Sequence, residues 1–168
     1  MAVPFFVDRI EDLADADTLV SMSGLAFMRA ILAGELAMPP IARAMNFRLE
    51  TVEPGTTTFR GAPGFDHLNP MKTVHGGWYG ALLDSAMGCA VMTKVPKGSV
   101  YTTLEFKTNM IKQIAVGAEV TCTGRVLHSG RTTAIAEGQI LGLQDDVLYA
   151  AATTTCIIMA VDPPDKAS

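Results

Sequence analysis

One carboxylate, Asp84, stands near the middle of TVHGGWYGALLDSAMGCAV (Thr73–Val91), the most apolar helical stretch of the chain. Eleven uncharged residues separate it from Lys72 and nine from Lys94. Burying such a group is expensive unless it is paired, hydrogen-bonded or neutralised. No cation lies one helical turn away, where the chain places Gly80, Ala81, Met87 and Gly88. Gly80 and Gly88 share a face with Asp84 and leave open space in front of it. A mid-helix glycine costs about 1 kcal/mol relative to alanine, so something must approach closely at that face. Either a strand or second helix packs there, with Asp84 satisfied by backbone N–H groups or hydroxyls, or Asp84 faces a substrate as general base or nucleophile. Unpaired buried carboxylates concentrate at active sites, which favours the second reading.

The start of the same helix adds a second chemical feature. His75-Gly76-Gly77 opens it, where the first backbone N–H groups lack intrahelical acceptors and the dipole end is positive. Glycines leave those groups uncovered, able to point at a carbonyl oxygen that gains negative charge. A tight loop-to-helix entry capped by His75 is the plainer alternative. Upstream, Asn69 precedes Pro70, an ordinary way to open a turn.

Several elements must position these groups. Leu25, Met28, Leu32 and Leu36 predict one N-terminal helical face, weakened at Gly34 and stopped by Pro39-Pro40, with IARAM as a further short turn. NFRLETV and TTTFRGAP, joined by Glu53-Pro54-Gly55-Thr56, read as a hairpin. Beyond the apolar helix, which VPKG ends, four extended segments follow, and the last three form an antiparallel meander. The expected class is α+β: an antiparallel sheet curled round one long helix, with a helical extension over residues 1–45, the sheet domain over 46–162 and a frayed tail over 163–168.

At 168 residues, 49% of them hydrophobic and 18% charged, the chain is long enough for one packed core and apolar enough to place surface in an interface or ligand tunnel. A net charge of −4 without a basic run argues against nucleic acid as a partner. The apolar run Val147–Val161, at 15 residues, is too short and Thr-rich for a membrane span. No export signal is read at the N-terminus, and Cys89, Cys122 and Cys156 form no C-x-x-C pair, so no metal site is expected and a reducing cytoplasm fits.

The run NPMKTVHGGWYGALLDSAMG (69–88) resembles the signature of the phenylacetic-acid-degradation type (PaaI-like) thioesterases of the hotdog superfamily. There an Asn stands six residues before the His of HGG and an Asp nine after it, spacings that Asn69, His75 and Asp84 meet. YTTLEFKTNMI, VLHSGRTTAIAEGQI and AAATTTCII extend the resemblance to roughly Phe47–Val161. It departs from the usual pattern at NMIKQIAVG, where Gln113-Ile114 stands in place of a common Pro.

The resemblance implies a hotdog fold and hydrolysis of acyl-coenzyme A thioesters, with the coenzyme as part of the substrate and no further cofactor. It implies a homo-oligomer, dimer or tetramer, whose sites combine groups from two subunits. Carried over, the Gly76 N–H and the Asn69 amide polarise the thioester carbonyl, and His75 holds the loop. Asp84 of the other subunit activates water or attacks, and Thr102 or Thr103 positions it. Gly77, Trp78, Gly130 and Arg131 are the expected substrate contacts, with Arg131 the best candidate for a phosphate and Lys94, Lys97 and Arg125 weaker ones. The apolar stripe of the N-terminal helix fits a lid over the acyl pocket. A hotdog hydratase or dehydratase, or a non-catalytic acyl-CoA-binding protein, is the alternative.

Overall fold

The computed structural model describes residues 5–161; the tail expected to fray falls outside them. The N-terminal segment forms α1 (Ala16–Ser21), α2 (Gly24–Ala33) and α3 (Pro40–Ala44). The single N-terminal helix expected from the apolar stripe is thus two. Asp15 caps α1 by accepting from the Thr18 N–H at 2.7 Å, and Ser23 caps α2 through the Ala26 N–H at 3.3 Å. The break at Ser23-Gly24 lets the Gly24 backbone lie against the Met92 carbonyl, a contact no side chain would permit. Gly34, with φ of 76°, ends α2 in the left-handed conformation, so the helix stops there and not at Pro39-Pro40. Met28 is buried, Leu25 and Leu32 pack against the core, and Leu36 falls beyond the helix.

The sheet holds β1 (Phe47–Glu53), β2 (Thr56–Gly61), β3 (Ser99–Met110), β4 (Val120–Ser129), β5 (Thr133–Gly142) and β6 (Leu148–Ala160), all antiparallel, in the order β1-β2-β4-β5-β6-β3. The expected hairpin and meander are both present. β5 alternates strictly, with Ala134, Ala136, Gly138 and Ile140 inward and Thr133, Ile135, Glu137 and Gln139 outward. This is the period of a sheet with one face on the core. The architecture is the hotdog fold.

The long helix, α4 (Gly76–Met92), lies in the curl of that sheet. Its small residues and those of the strands allow close approach: Gly124 of β4 meets the Ala86 carbonyl, and Gly138 of β5 meets Met87. The Thr57 hydroxyl donates to the same Ala86 carbonyl at 2.8 Å. Beyond the first two glycines, only Ala81, Asp84, Ser85 and Cys89 of α4 escape burial. Their positions fall on one face of a helix, so α4 is sealed on every side but that one, which β3 and the N-terminal extension cover only in part. No described helix is long and apolar enough to cross a membrane.

Candidate active site

Asp84 stands half-buried on this unsealed face, and its Oδ1 accepts a 3.0 Å hydrogen bond from the Thr103 hydroxyl. Thr103 therefore faces the carboxylate, while Thr102 is exposed on the opposite side of β3. The register of β3 slips between Thr103 and Glu105, a bulge that sits beside the site.

The open space expected in front of Asp84 is occupied. A side chain at Gly80 would begin 3.4 Å from the Phe106 ring, and one at Gly88 would begin 2.8 Å from the Tyr101 hydroxyl. Both aromatics come from β3, so the two glycines admit a strand, and Asp84 is left between them with one hydroxyl as partner. Tyr101 and Phe106 were not singled out from sequence. The alternation of β3 pairs Tyr101 with Thr103 on one face, which is the signal that finds it. Burial raises the Tyr101 hydroxyl well above its ordinary pKa, and charge on Cys89, Cys156 and Asp84 adds to the shift. Burial, then the Asp84 charge, pushes the Cys89 thiol up to about 12.

At the other end of α4, His75 is the N-cap and its Nδ1 accepts from the Gly77 N–H at 2.8 Å. Its backbone N–H donates to the His67 carbonyl at 2.8 Å, tying the loop to the helix. Gly77 is thereby satisfied, and Gly76 alone of the pair keeps a backbone N–H with no protein acceptor among the described residues. The end of β3 lies over it, with Met110 Cε 2.8 Å from where a Gly76 side chain would begin.

Asn69 organises the approach loop. Its Oδ1 accepts from the Met71 and Thr73 N–H groups at 2.9 and 3.2 Å, and its Nδ2 donates to the Thr73 hydroxyl at 2.8 Å. An amide carries two N–H donors, so one remains for a ligand. Lys72 takes a φ of 61° in the tight turn this network holds.

Trp78, expected on the substrate pocket, is a core residue. It is 2% exposed, its Nε1–H donates to the Met45 carbonyl at 2.8 Å, and its ring packs edge-on against Tyr79 at 6.0 Å. Facing the sheet next to Gly61, it anchors the extension to the hairpin. Gly130 and Arg131 are exposed in the β4–β5 turn. Ladder pairing runs Thr103, Cys156, Ala134, Ser129 across four strands. At about 4.8 Å per strand, that turn lies about 14 Å from Thr103, at the same end of the sheet. Lys94, Lys97 and Arg125 are exposed elsewhere on the surface.

Gly76 and Asp84 are eight residues apart on one straight helix, or about 12 Å. A water held by the carboxylate, the carbonyl it attacks and an N–H donor to that carbonyl together span at most about 10 Å, so about 12 Å along the axis is long for one chain to serve a single carbonyl with both groups.

A sequence model of the thioesterase superfamily matches residues 71–149, from the end of the approach loop through α4, β3, β4 and β5 to the start of β6. No match was found among curated proteins. Among solved structures, an asparagine-to-aspartate variant of the phenylacetic acid degradation protein PaaI from Thermus thermophilus is 26% identical, with 71% of this chain and 98% of that one covered and a TM-score of 0.65. A putative thioesterase from Ralstonia eutropha, described as phenylacetic acid degradation-related, is 26% identical over 78% of this chain and 98% of its own, with a TM-score of 0.71. A hypothetical thioesterase from Streptococcus pneumoniae, crystallised with coenzyme A, shares the fold at 24% identity, 70% and 89% coverage and a TM-score of 0.63.

Proposed function

We propose, on the premise that this chain belongs to the thioesterase superfamily and is a PaaI-like thioester hydrolase, that it cleaves acyl-coenzyme A in a site shared by two copies. In that site Asp84 of one subunit is the general base, and the Gly76 N–H of the other is the principal oxyanion donor. The observation that carries this reading is Asp84 on the one incompletely buried face of α4, held through Oδ1 by Thr103 with no partner for Oδ2 among the described residues.

The chemistry follows from those groups. Thr103 fixes the carboxylate rotamer, and the free Oδ2 takes a proton from water as the water oxygen attacks the thioester carbon. The carbonyl oxygen becomes an oxyanion opposite the Gly76 N–H, at the positive end of α4. The second N–H of Asn69 is a further donor to that oxygen, and His75 holds the loop through its cap. Collapse of the intermediate breaks the C–S bond and releases a thiolate, a leaving group stable enough to need little protonation. The acid and free coenzyme A are the products.

The edge strand β3 supports assembly through two copies. Leu104, Phe106 and Met110 are exposed on it by 58%, 43% and 56%, and β3 closes one side of each site. Arg131, exposed at the same end of the sheet as Thr103, is the proposed contact for the coenzyme phosphates, since the overall charge of the chain is −4 and any attraction must be local. The bound coenzyme in the Streptococcus pneumoniae relative supports a ligand of that type.

The test is thiol release from a panel of acyl-CoAs by the wild type and Asp84→Asn. The variant is expected to lose roughly 10²–10⁴ in rate, the range for a positioned base, while its unfolding midpoint stays close to wild type. Consumption of substrate without thiol release would identify a hydratase instead. A single turnover in ¹⁸O-water places label in the product acid for a general base and in Asp84 for a nucleophile.

A further inference from the structure

A cavity of about 320 Å³ lies beside α4 on the side away from the sheet's centre, and none of the residues described above as catalytic lines it. Its inner wall is Ser85, Cys89 and Met92 of α4, with Phe47, Leu49 and Phe59 of the first hairpin and Val100 and Tyr101 of β3. Its outer wall is the N-terminal extension, from Leu13 and Leu19 through Phe27, Met28 and Ile31 to Met38 and Pro39. No charged residue lines it, and the polar side chains are Ser85, Cys89 and Tyr101.

Two connections join this cavity to Asp84. Ser85 is its neighbour in α4, and Cys89 continues the same unsealed face. Along β3, Tyr101 lines the cavity and Thr103, on the same face two residues on, holds the carboxylate, a separation of about 7 Å. Tyr101 stands between them with its hydroxyl against Gly88, and burial raises its pKa.

We propose that this cavity receives the apolar acyl chain of the substrate, and that the N-terminal extension sets the length it accepts. The proposal rests on the thioesterase reading of Asp84. At the roughly 30 Å³ that a water-sized group occupies in a liquid, the cavity holds a chain of about ten carbons. A two-carbon acyl group would leave it nearly empty and a phenylacetyl group would fill it in part, forgoing wall contacts in each case. The cavity is open on one side, so a much longer chain would run out of it and gain no further wall contact. The medium-length aliphatic chain is therefore the preferred acyl group, and Leu19, Phe27, Ile31 and Ala37 are its specificity-determining residues on the outer wall.

The experiment compares wild type with Ile31→Trp and Ala37→Phe, which fill the cavity from two separate segments so that misfolding of one does not end the test. kcat/KM is measured on acetyl-, phenylacetyl-, decanoyl- and hexadecanoyl-CoA, and decanoic acid binding by calorimetry. The expected result is a wild-type optimum at decanoyl-CoA, which at least one folded variant lowers at least tenfold while acetyl-CoA changes less than threefold. Decanoic acid binding is lost in parallel. An unchanged chain-length profile in both variants overturns the cavity assignment and leaves the hydrolase reading intact. Decanoic acid bound by the wild type and not by the variants, with no thioester cleaved by any of them, keeps the cavity assignment and overturns the hydrolase reading. A wild-type optimum at phenylacetyl-CoA, unmoved by either variant, refutes the aliphatic assignment.

Discussion

At the scale of single residues, the proposed site is a carboxylate, a hydroxyl and one backbone N–H, each with a distinct physical reason for its place. Thr103→Val keeps the β-branched shape and removes the bond to Asp84. It should lower kcat by about tenfold, the order of a lost hydrogen bond to a charged group, with Thr103→Ser restoring most of it. Gly76 offers a cleaner deletion. It is the first helical residue after His75, whose ψ of 138° suits a residue preceding proline. Proline is tolerated at that position and has no N–H. A Cβ there meets the flexible end of Met110. Gly76→Pro is therefore expected to fold normally and lose roughly 10²–10³ in kcat, as for other oxyanion donors; unfolding midpoints and thiol release measured together decide it.

At the scale of elements, contact between β3 and α4 explains Gly88, a residue that looks wasteful in a helix. A methyl group at Gly88 would lie 2.8 Å from the Tyr101 hydroxyl, so Gly88→Ala should destabilise by about 1–3 kcal/mol through overpacking. In a Tyr101→Phe background the nearest ring carbons are 3.4 and 3.5 Å away, and the same substitution should become neutral or stabilising, since alanine is the better helix former by about 1 kcal/mol. A double-mutant cycle by urea unfolding reads this out. Gly124 differs, because it faces the Ala86 backbone, which cannot step aside. Gly124→Ala has no second-site rescue of this kind and should lower stability more than Gly88→Ala.

At the scale of the whole molecule, the 12 Å between Gly76 and Asp84 makes cooperation between copies testable. Asp84→Asn and Gly76→Pro chains, inactive alone, should regain activity when unfolded and refolded together, because half the sites of a mixed pair contain both intact groups. Separately refolded and mixed controls should stay inactive if subunits do not exchange. The buried acids predict an alkaline limit. The Cys89 thiol moves from 9.0 to about 12 through burial against an apolar cavity, and the Cys122 thiol and Tyr101 hydroxyl shift the same way. Above pH 9 the unfolded chain loses protons that the folded one retains, so stability is full below that pH and falls as pH rises towards 12. Thermal unfolding midpoints should decline between pH 9 and 11, and less so in Cys89→Ala.

The sequence by itself determined most of the elements and named the candidate residues of the site. Period and turn residues marked the hairpin, the meander and α4, and a lone charge in an apolar helix marked Asp84, because burial penalties act on residue type whatever the fold. Tertiary structure decided what local pattern cannot encode. Strand register put Thr103 on the carboxylate and Thr102 on the far side, and packing gave Trp78 to the core and the space beside Gly80 and Gly88 to Phe106 and Tyr101. Ser23 and Gly24 broke the N-terminal helix for the sake of a contact with Met92, nearly seventy positions later. The apolar stripe hinted at a lid, but the size of the cavity under that extension has no signature in sequence, since its walls come from seven separate segments and its volume is set by how closely they meet.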